Sequence, residues 1–339
     1  MNVHERRPTT AMEQLQQPIT IPRVGLGTWA IGGWMWGGTD EAESIRTIHT
    51  ALDLGITLID TAPIYGFGRS EEIVGRALAQ DGRRHRAVIA TKVGLDWKDA
   101  KPFRNGRPER IVKEAEDSLR RLRTDVIDLY QVHWPDPTVP LDDTAEAMAR
   151  LYRAGKINAI GVSNFSPAEM DVFRTAAPLH TAQPPYNLFE RGAEADVLPY
   201  CAAHGITTLT YGSLCRGLLS GRMRADTSFA GDDLRGSDPK FRAPRFAQYL
   251  QAVEALDRLA RERFGKRVIH LALRWVLDRP GSGVALWGAR RADQLTPARE
   301  IMGWRVDPDA MREIDAILAR TITDPVGPEF MAPPVARDI

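Results

Sequence analysis

The strongest constraint on the fold of this chain is an alternation between short apolar runs and amphipathic helical segments along its length. The apolar runs lack the apolar–polar alternation of a strand with one wet face, so they predict strands covered on both sides. Eight such strands, most of them followed by a helix, predict an α/β fold, a (β/α)8 TIM barrel with long loops on its active face. A doubly wound sheet shares the alternation and is the alternative. The predicted strands are residues 24–27, 57–60, 87–92, 127–133, 159–163, 181–184, 207–211 and 284–286.

The helical segments support this alternation. Residues 110–123 place apolar side chains on one stripe, and Ser166-Pro-Ala-Glu169 has the pattern of a capping box with proline at the first helical position. Residues 250–263 and 267–277 predict two adjacent helices, one of them outside the regular repeat. Residues 222–247, rich in Arg, Asp, Gly and Ser, follow the seventh strand and predict a mobile loop that overhangs the active face.

Composition and charge narrow the functional classes. No linker composition divides the chain, so we predict one barrel domain over residues 19–325, a flexible N-terminal tail (1–18) and a C-terminal tail (326–339). The 45 Lys and Arg residues nearly balance the 44 Asp and Glu residues, which disfavours nucleic-acid binding. Two cysteines cannot form a disulfide framework and fit a reducing compartment. Without an apolar run of transmembrane length or a signal core, the chain is predicted to be cytoplasmic and not to contact membranes, as a monomer or weak homo-oligomer.

Ionisable side chains of different types stand where successive predicted strands end. Asp60 ends the second strand, Tyr65 follows it in a short loop, and Lys92 and His133 end the next two strands. The carboxyl ends of parallel barrel strands share one face, so these side chains are expected to converge. An ammonium group lowers the pKa of a neighbouring phenol, so Lys92 is expected to make Tyr65 a better acid. Any one of these residues alone is more typical of a structural ion pair, whereas together they predict a site that protonates a forming oxyanion.

The segments around these side chains resemble the aldo-keto reductase family, and the match runs nearly the whole length. Residues 55–66 and 70–75 resemble the family's first signature, and residues 90–93 and 132–135 resemble its lysine and histidine segments. The resemblance implies an NADP-dependent oxidoreductase that reduces an aldehyde or ketone reversibly, with Tyr65 as general acid. The catalytic tetrad that it implies is Asp60, Tyr65, Lys92 and His133.

The resemblance implies NADP(H) as the cofactor and assigns its contacts to the ends of the later strands. Amides and hydroxyls donate and accept, which suits a carboxamide, and glycines let a backbone approach phosphate closely. Guanidinium groups bind phosphate bidentately, so an arginine after the eighth strand suits the 2′-phosphate of NADP. The implied contacts are Ser163, Asn164 and Gln183 for the carboxamide, Tyr211 for the nicotinamide ring, Gly212, Ser213, Leu214, Arg216 and Gly217 for the pyrophosphate, and Gly288, Arg290 and Gln294 for the adenosine side.

Five of the eight tryptophans fall in loops at the presumed active face. A tryptophan in an exposed loop is costly unless it packs or binds a ligand. Trp34 is expected to seal the top of the barrel, whereas Trp29, Trp36 and Trp134 are the predicted substrate contacts. Rings with polar edges suit sugars, polyols, cyclic ketones and aromatic aldehydes alike, so the sequence predicts a small-molecule carbonyl or alcohol substrate without naming it.

Other functions stay open at this stage. A polyol or sugar dehydrogenase would run the reaction in the oxidative direction, with Tyr65 as phenolate. A cofactor-binding regulatory subunit of the channel-associated type would keep the barrel and resembles the overall pattern. A barrel isomerase acting on sugars would need no nicotinamide. The histidines other than His133 show no ligand spacing, so no metal site is expected.

Overall fold

Parallel strands close into a barrel in the computed structural model of this chain, which describes residues 22–335. The hydrogen-bonded order around the barrel is β1-β10-β9-β8-β7-β6-β3-β2, and β1 pairs with both β2 and β10. This closure confirms the predicted (β/α)8 barrel over the doubly wound alternative. The strands in chain order are β1 (Val24–Gly27), β2 (Leu58–Asp60), β3 (Val88–Val93), β4 (Leu95–Lys98), β5 (Lys101–Arg104), β6 (Leu129–Val132), β7 (Ile160–Ser163), β8 (Thr181–Gln183), β9 (Thr207–Thr210) and β10 (Val284–Gly288).

Helices follow the barrel strands in turn. The capping box predicted at Ser166 and Glu169 is present at the start of its helix. Two helices lie between β9 and β10, which confirms the prediction of one helix outside the repeat. In the described part of the chain the α-helices are α1 (Glu41–Asp53), α2 (Arg69–Ala79), α3 (Pro108–Leu122), α4 (Leu141–Arg153), α5 (Pro167–Ala176), α6 (Val197–Ala203), α7 (Arg245–Phe264), α8 (Val268–Asp278) and α9 (Pro308–Thr321).

The barrel interior changes from apolar to polar toward the carboxyl ends of the strands. A small apolar cluster, separate from the large one packed under the helices, includes Leu58, Ala90 and Leu129 on neighbouring strands. Side chains two residues apart on a strand point to the same side. The residues two positions further along therefore enter the top of the interior, and they are Asp60, Lys92 and Gln131.

The sequence did not predict the hairpin of β4 and β5, which follows β3 directly. Its two-residue turn is made by Asp99 and Ala100, both with positive φ (50° and 59°), as the right-handed twist of a hairpin requires. Leu-Asp-Trp-Lys carries too little apolar patterning to stand out as a strand. The hairpin places Arg104 at the active face, where its main-chain N–H donates to the Pro334 carbonyl (2.9 Å).

Two further segments cover the active face. Residues 222–247 reach across it as predicted, because the Met35 N–H donates to Asp232 Oδ2 (2.8 Å) and the Leu234 N–H donates to the Met35 carbonyl (3.0 Å). Residues 326–335 of the predicted C-terminal tail lie against the barrel, while residues 336–339 and the predicted N-terminal tail lie outside the described residues. Within residues 22–335, no helix combines the length and the apolar character needed to cross a membrane.

Candidate active site

Three adjoining cavities form a cleft across the active face. The first, second and third cavities have volumes of about 210, 280 and 300 Å³. Leu214, Gly217 and Arg290 line both the first and the third cavity. The residues shared by the first and second cavities are Trp29, Tyr65, Tyr211 and Met331.

A buried ion pair lies directly under Tyr65. Lys92 Nζ donates to Asp60 Oδ2 (2.7 Å), to the Thr61 carbonyl (3.0 Å) and to the Tyr65 hydroxyl (3.2 Å). An ammonium group has three N–H donors, so these bonds use all of them. Because the Tyr65 oxygen accepts from Lys92, its own proton is directed elsewhere. The Tyr65 O–H is therefore available to a ligand at the junction of the first and second cavities.

Two glutamine amides orient Asp60 from inside the barrel. Gln183 Nε2 donates to Asp60 Oδ1 (2.8 Å), and Gln131 Nε2 donates to the same oxygen (3.3 Å). Gly161 makes room for them, because a Cβ there would lie 2.8 Å from Gln131 Cγ and 2.2 Å from Thr181 Oγ1. These contacts fix the carboxylate and so the position of Lys92. Gln131 was not predicted from the sequence. The feature that indicates its role is a polar side chain within a buried apolar run.

Close backbone contact between two loops positions Tyr65. A Cβ at Gly32 would lie 2.6 Å from the Tyr65 carbonyl, and one at Gly66 would lie 2.2 Å from the Gly32 oxygen. Gly66 also has φ +67°, a conformation that side chains disfavour. The Tyr65 ring stacks on Trp29 with ring centroids 5.8 Å apart. Glycine at both contact points lets the β1 loop hold the phenol against the cleft.

His133 completes the group of strand-end side chains that sequence analysis singled out. Its ring meets that of Tyr65 edge to face, with centroids 5.8 Å apart, and it lines the second cavity. Its main-chain N–H donates to the Val93 carbonyl (2.7 Å), and its carbonyl accepts from Asn164 Nδ2 (2.9 Å). Asp60, Tyr65, Lys92 and His133 thus lie together at one place in the cleft.

The predicted carboxamide contacts also lie beside Tyr65. Ser163, Asn164, Gln183 and Tyr211 all line the second cavity. They are tied to one another, since Ser163 Oγ donates to the Gln183 carbonyl (2.8 Å) and the Tyr211 hydroxyl donates to Asn164 Oδ1 (2.9 Å). These bonds hold hydroxyl and amide groups in fixed positions next to the reactive phenol.

The loop after β9 lines the first cavity with its backbone. Gly212, Ser213, Leu214 and Gly217 all contribute to that wall, and Ser213 turns its hydroxyl inward to the Thr210 carbonyl (3.2 Å). Arg216, predicted to contact the pyrophosphate, also lines the first cavity, but it makes ion pairs within the protein. Its guanidinium pairs with Glu190 and with Asp238 (2.6 Å) under the loop. The head group is thereby occupied within the protein.

Arginines dominate the third cavity. Arg290 lines it together with Gly288, where a Cβ would meet no atom within 4 Å, so the backbone is open to the cleft. The Gln294 side chain, predicted on the adenosine side, accepts the main-chain N–H groups of Arg290 (2.9 Å) and Arg291 (3.2 Å) and so shapes this turn. The other arginines that line the cavity are Arg222, Arg235, Arg267 and Arg291.

The tryptophans are divided between the cavities. Trp29 and Trp134 line the second cavity, as does Trp34, which the sequence had assigned to sealing the barrel. Trp36 lines the first cavity instead, where its carbonyl accepts from Arg290. Trp36 therefore lines a different cavity from Trp134, and its contact with the substrate stays a prediction.

Comparison with known proteins identifies the family of this chain. A model of the Aldo/keto reductase family matches residues 23–319. The chain belongs to the aldo/keto reductase family. Aldo-keto reductase YhdN of Bacillus subtilis (strain 168) is 62% identical over 321 residues, which cover 95% of this chain and 97% of that protein.

Two solved structures show the same fold. Glycerol dehydrogenase AKR11B4 from Gluconobacter oxydans is 55% identical with a TM-score of 0.83, covering 92% of this chain and 96% of that one. An aldo/keto reductase from Klebsiella pneumoniae, in complex with NADP and acetate, is 28% identical with a TM-score of 0.66, covering 88% and 91%. Aldo/keto reductases are oxidoreductases that act on carbonyl and alcohol groups, so this chain is an enzyme of that class.

The electrostatics of this aldo/keto reductase site differ from the sequence expectation in one respect. Burial raises the pKa of Tyr65 well above its ordinary value of 10.0, and the Asp60 charge adds to the rise. The expected lowering of the Tyr65 pKa by Lys92 does not prevail, because burial raises that pKa and the Asp60 carboxylate, 2.7 Å from Lys92, raises it further. Burial, with the Lys92 charge, lowers the pKa of His133 well below 6.5. At neutral pH the site therefore holds a protonated phenol and a neutral imidazole.

The C-terminal residues form a wall that sequence analysis did not assign to the site. Phe330, Met331 and Pro333 line the second cavity together with His133. Arg104 holds this wall, because its Nε donates to the Pro333 carbonyl (3.0 Å). A proline-rich terminus carries no periodic hydrophobic pattern, so the sequence does not predict where it lies. Its position is set by its hydrogen bonds to the β4–β5 hairpin.

Proposed function

We propose that this aldo/keto reductase uses NADPH to reduce an aldehyde or ketone to the alcohol, reversibly, with the proton coming from Tyr65. One observation carries the proposal: the Tyr65 O–H, its oxygen fixed by Lys92 at 3.2 Å, faces the junction of the first and second cavities. A proton donor there reaches a carbonyl in the second cavity while a cofactor occupies the first.

The residues of the first and third cavities fit a phosphorylated dinucleotide. The wall of residues 212–217 offers backbone to a pyrophosphate, and Arg290 offers a guanidinium to a 2′-phosphate. The indole N–H groups of Trp29 and Trp36 are shielded and have no partner within residues 22–335, and both side chains line the first cavity. The Klebsiella pneumoniae relative is described with NADP. When bound, NADPH supplies the hydride.

The side chains divide the remaining work of the reaction. Tyr65 donates its proton to the carbonyl oxygen as negative charge develops there. Neutral His133 donates a ring N–H to the same oxygen, and Lys92 stabilises the phenolate that Tyr65 becomes. Asp60 keeps Lys92 charged and in place. Trp29 and Trp134 exclude water from the second cavity.

The pKa directions predict the pH dependence. Tyr65 keeps its proton to above pH 10 and His133 stays neutral at pH 6.5, so kcat/KM for reduction is expected to be flat between these values. Oxidation needs the phenolate, so its rate is expected to rise with pH over the same range. Initial rates in both directions test this. A reductive rate that falls steadily across that interval would contradict it.

A small hydroxylated carbonyl compound fits the second cavity best. Its volume of about 280 Å³ is bordered by aromatic rings, and Tyr65 and His133 add polar contacts, while Ser163 and Asn164 are left to the carboxamide of the cofactor. The Gluconobacter oxydans relative is a glycerol dehydrogenase. We therefore expect glyceraldehyde and dihydroxyacetone to be reduced faster than aromatic aldehydes or cyclic ketones. Initial rates on these compounds with NADPH and with NADH test the substrate class.

Replacing Arg290 tests the cofactor preference. An Arg290→Gln variant loses a charge-assisted bond to the 2′-phosphate, which contributes about 1.5–3 kcal/mol, so the Kd of NADPH is expected to rise about 10- to 100-fold. The Kd of NADH, which lacks that phosphate, should change little. Titration of nucleotide fluorescence measures both. Arg299→Gln is the matched control, because Arg299 is exposed and lines none of the three cavities. Equal weakening of both nucleotides would remove Arg290 from the phosphate.

A further inference from the structure

A cluster of buried charges lies between the cofactor loop and the C-terminal wall. We define the buried charge cluster as Glu190, Arg216, Asp238 and Lys240, which are 3%, 8%, 0% and 0% exposed. Glu190 Oε1 contacts Arg216 and lies 2.8 Å from Lys240 Nζ, while Asp238 Oδ2 lies 2.6 Å from Arg216 Nε. Two charges of each sign therefore balance within the protein.

Burying the four charged side chains of this cluster carries a large desolvation cost. Buried ion pairs are often no more stable than well-packed apolar side chains of similar volume. Burial alone would raise the pKa of Glu190, but Arg216 and Lys240 outweigh it and hold that pKa below its ordinary value. The Glu190 carboxylate thus stays charged. The role of the buried charge cluster is indicated by the groups that it contacts.

One side of the cluster fixes the loop that lines the first cavity. Cys215 and Arg216 have φ of 45° and 54°, a left-handed conformation that is unfavourable unless other contacts hold it. The pairing of Arg216 supplies such contacts. Asn187 Nδ2 donates both to the Gly212 carbonyl (3.0 Å) and to Glu190 Oε2 (2.7 Å), so the loop is attached to the cluster at two points.

The other side of the cluster holds the wall of the second cavity. We define the C-terminal wall as residues 327–334. Lys240 Nζ donates to the Gly327 carbonyl (2.9 Å), and the Arg216 guanidinium lies 5.5 Å from the Phe330 ring centroid. Arg216 also lies 3.9 Å from Met331 Sδ. The same arginine therefore contacts the wall and belongs to the cofactor loop.

We propose that the buried charge cluster positions the C-terminal wall over the substrate and links the placement of that wall to the loop of the first cavity. Arg216, through Phe330 and Met331, and Lys240, through Gly327, act as positioning residues and not as ligands of cofactor phosphate. Occupation of the first cavity would order the loop, and through Arg216 it would order the wall that receives the substrate. The kinetic part of this inference rests on the proposed carbonyl reduction.

A paired substitution tests the link. Glu190→Gln with Lys240→Met removes one charge of each sign and the bond to Gly327, while Arg216 and Asp238 remain paired. The substrate KM is expected to rise about tenfold or more with kcat little changed, as for a lost contribution to substrate binding. The Kd of NADPH is expected to rise less, because Asp238 still pairs with Arg216 in the loop. Arg245→Gln is the control, because it removes an exposed ion pair to Asp324, near the same segment, and should leave KM unchanged.

The kinetic outcomes separate the two roles open to Arg216. An unchanged KM in a folded paired variant would overturn the positioning role. A weakened NADPH Kd with an unchanged KM would return the cluster to cofactor binding and also overturn the proposal. If circular dichroism shows that the paired variant does not fold, Phe330→Leu serves as the test variant in the hydrogen-exchange measurement, because it keeps all four charges and removes only the ring beside Arg216.

Hydrogen exchange supplies a readout that does not depend on turnover. Amides in residues 327–334 are expected to exchange faster in the nucleotide-free paired variant than in the wild type. Adding NADPH is expected to slow their exchange in the wild type and not in the variant. Equal exchange in the two nucleotide-free proteins would overturn the inference. Wild-type protein that turns over no carbonyl compound would instead refute the proposed function, and the nucleotide-free comparison would still decide the positioning role.

Discussion

Tyr65→Phe is expected to lower kcat for carbonyl reduction by about 10²- to 10⁴-fold, the usual contribution of a positioned general acid. The substitution removes only the hydroxyl, so the ring still stacks on Trp29 and the walls of the cavities persist. Binding of NADPH should therefore be nearly unchanged. Steady-state rates and a fluorescence titration on the same preparation measure the two properties separately.

A matched control for this variant is Tyr130→Phe. Tyr130 is buried in β6, and its hydroxyl has no hydrogen-bond partner among the residues that the structure describes. Losing that hydroxyl should change neither turnover nor cofactor binding. Full turnover by Tyr65→Phe would exclude Tyr65 as the proton donor. A comparable loss in Tyr130→Phe would show that the effect is not specific to the cleft.

Lys92→Met is expected to have the largest effect on stability. It leaves the Asp60 carboxylate buried without its cationic partner, and breaking a buried pair in this way costs about 3–5 kcal/mol. Turnover should fall as well, since no ammonium then stabilises the Tyr65 phenolate. Denaturant unfolding gives the free energy of unfolding, and initial rates give the loss of activity.

The double variant Asp60→Asn with Lys92→Met separates these two effects. Removing both charges leaves no uncompensated ion, so much of the stability is expected to return. Activity is expected to stay low, because the phenolate still lacks its partner. A double variant as unstable as Lys92→Met would show that the ion pair is not the source of the stability effect. Recovery of activity with stability would show that Lys92 is purely structural.

The barrel and the meeting of its strand-end side chains could be predicted because they follow from regular periodicity. Asp60 stands two positions after Leu58, and Lys92 stands two positions after Ala90; both apolar residues lie in the barrel interior. Because side chains two residues apart on a strand point to the same side, Asp60 and Lys92 point into the barrel interior as well. The closed order of the strands then brings the ends together. The roles of these residues in a reaction stay predictions for the variants above to test.

The side-chain positions that the sequence could not predict lie in segments of irregular backbone. Arg216 was assigned to phosphate from its motif, and the sequence did not predict that its guanidinium pairs with the buried carboxylates of Glu190 and Asp238. Trp36 lies two positions from Trp34 yet lines a different cavity, because the loop turns between them. Phe330 and Met331 belong to a segment with no period at all. The spacing of residues along the sequence does not determine where any of these side chains lies.

In the proposed reaction, hydride passes from NADPH to a carbonyl carbon beside Tyr65. This transfer is tested with NADPH deuterated at the transferring position of the nicotinamide ring, with glyceraldehyde as the acceptor and mass spectrometry of the alcohol formed. The glycerol produced is expected to carry deuterium at the former carbonyl carbon, and Tyr65→Phe is expected to form it far more slowly. Glycerol formed without deuterium, or equal formation by the Tyr65→Phe variant, would exclude the proposed reaction.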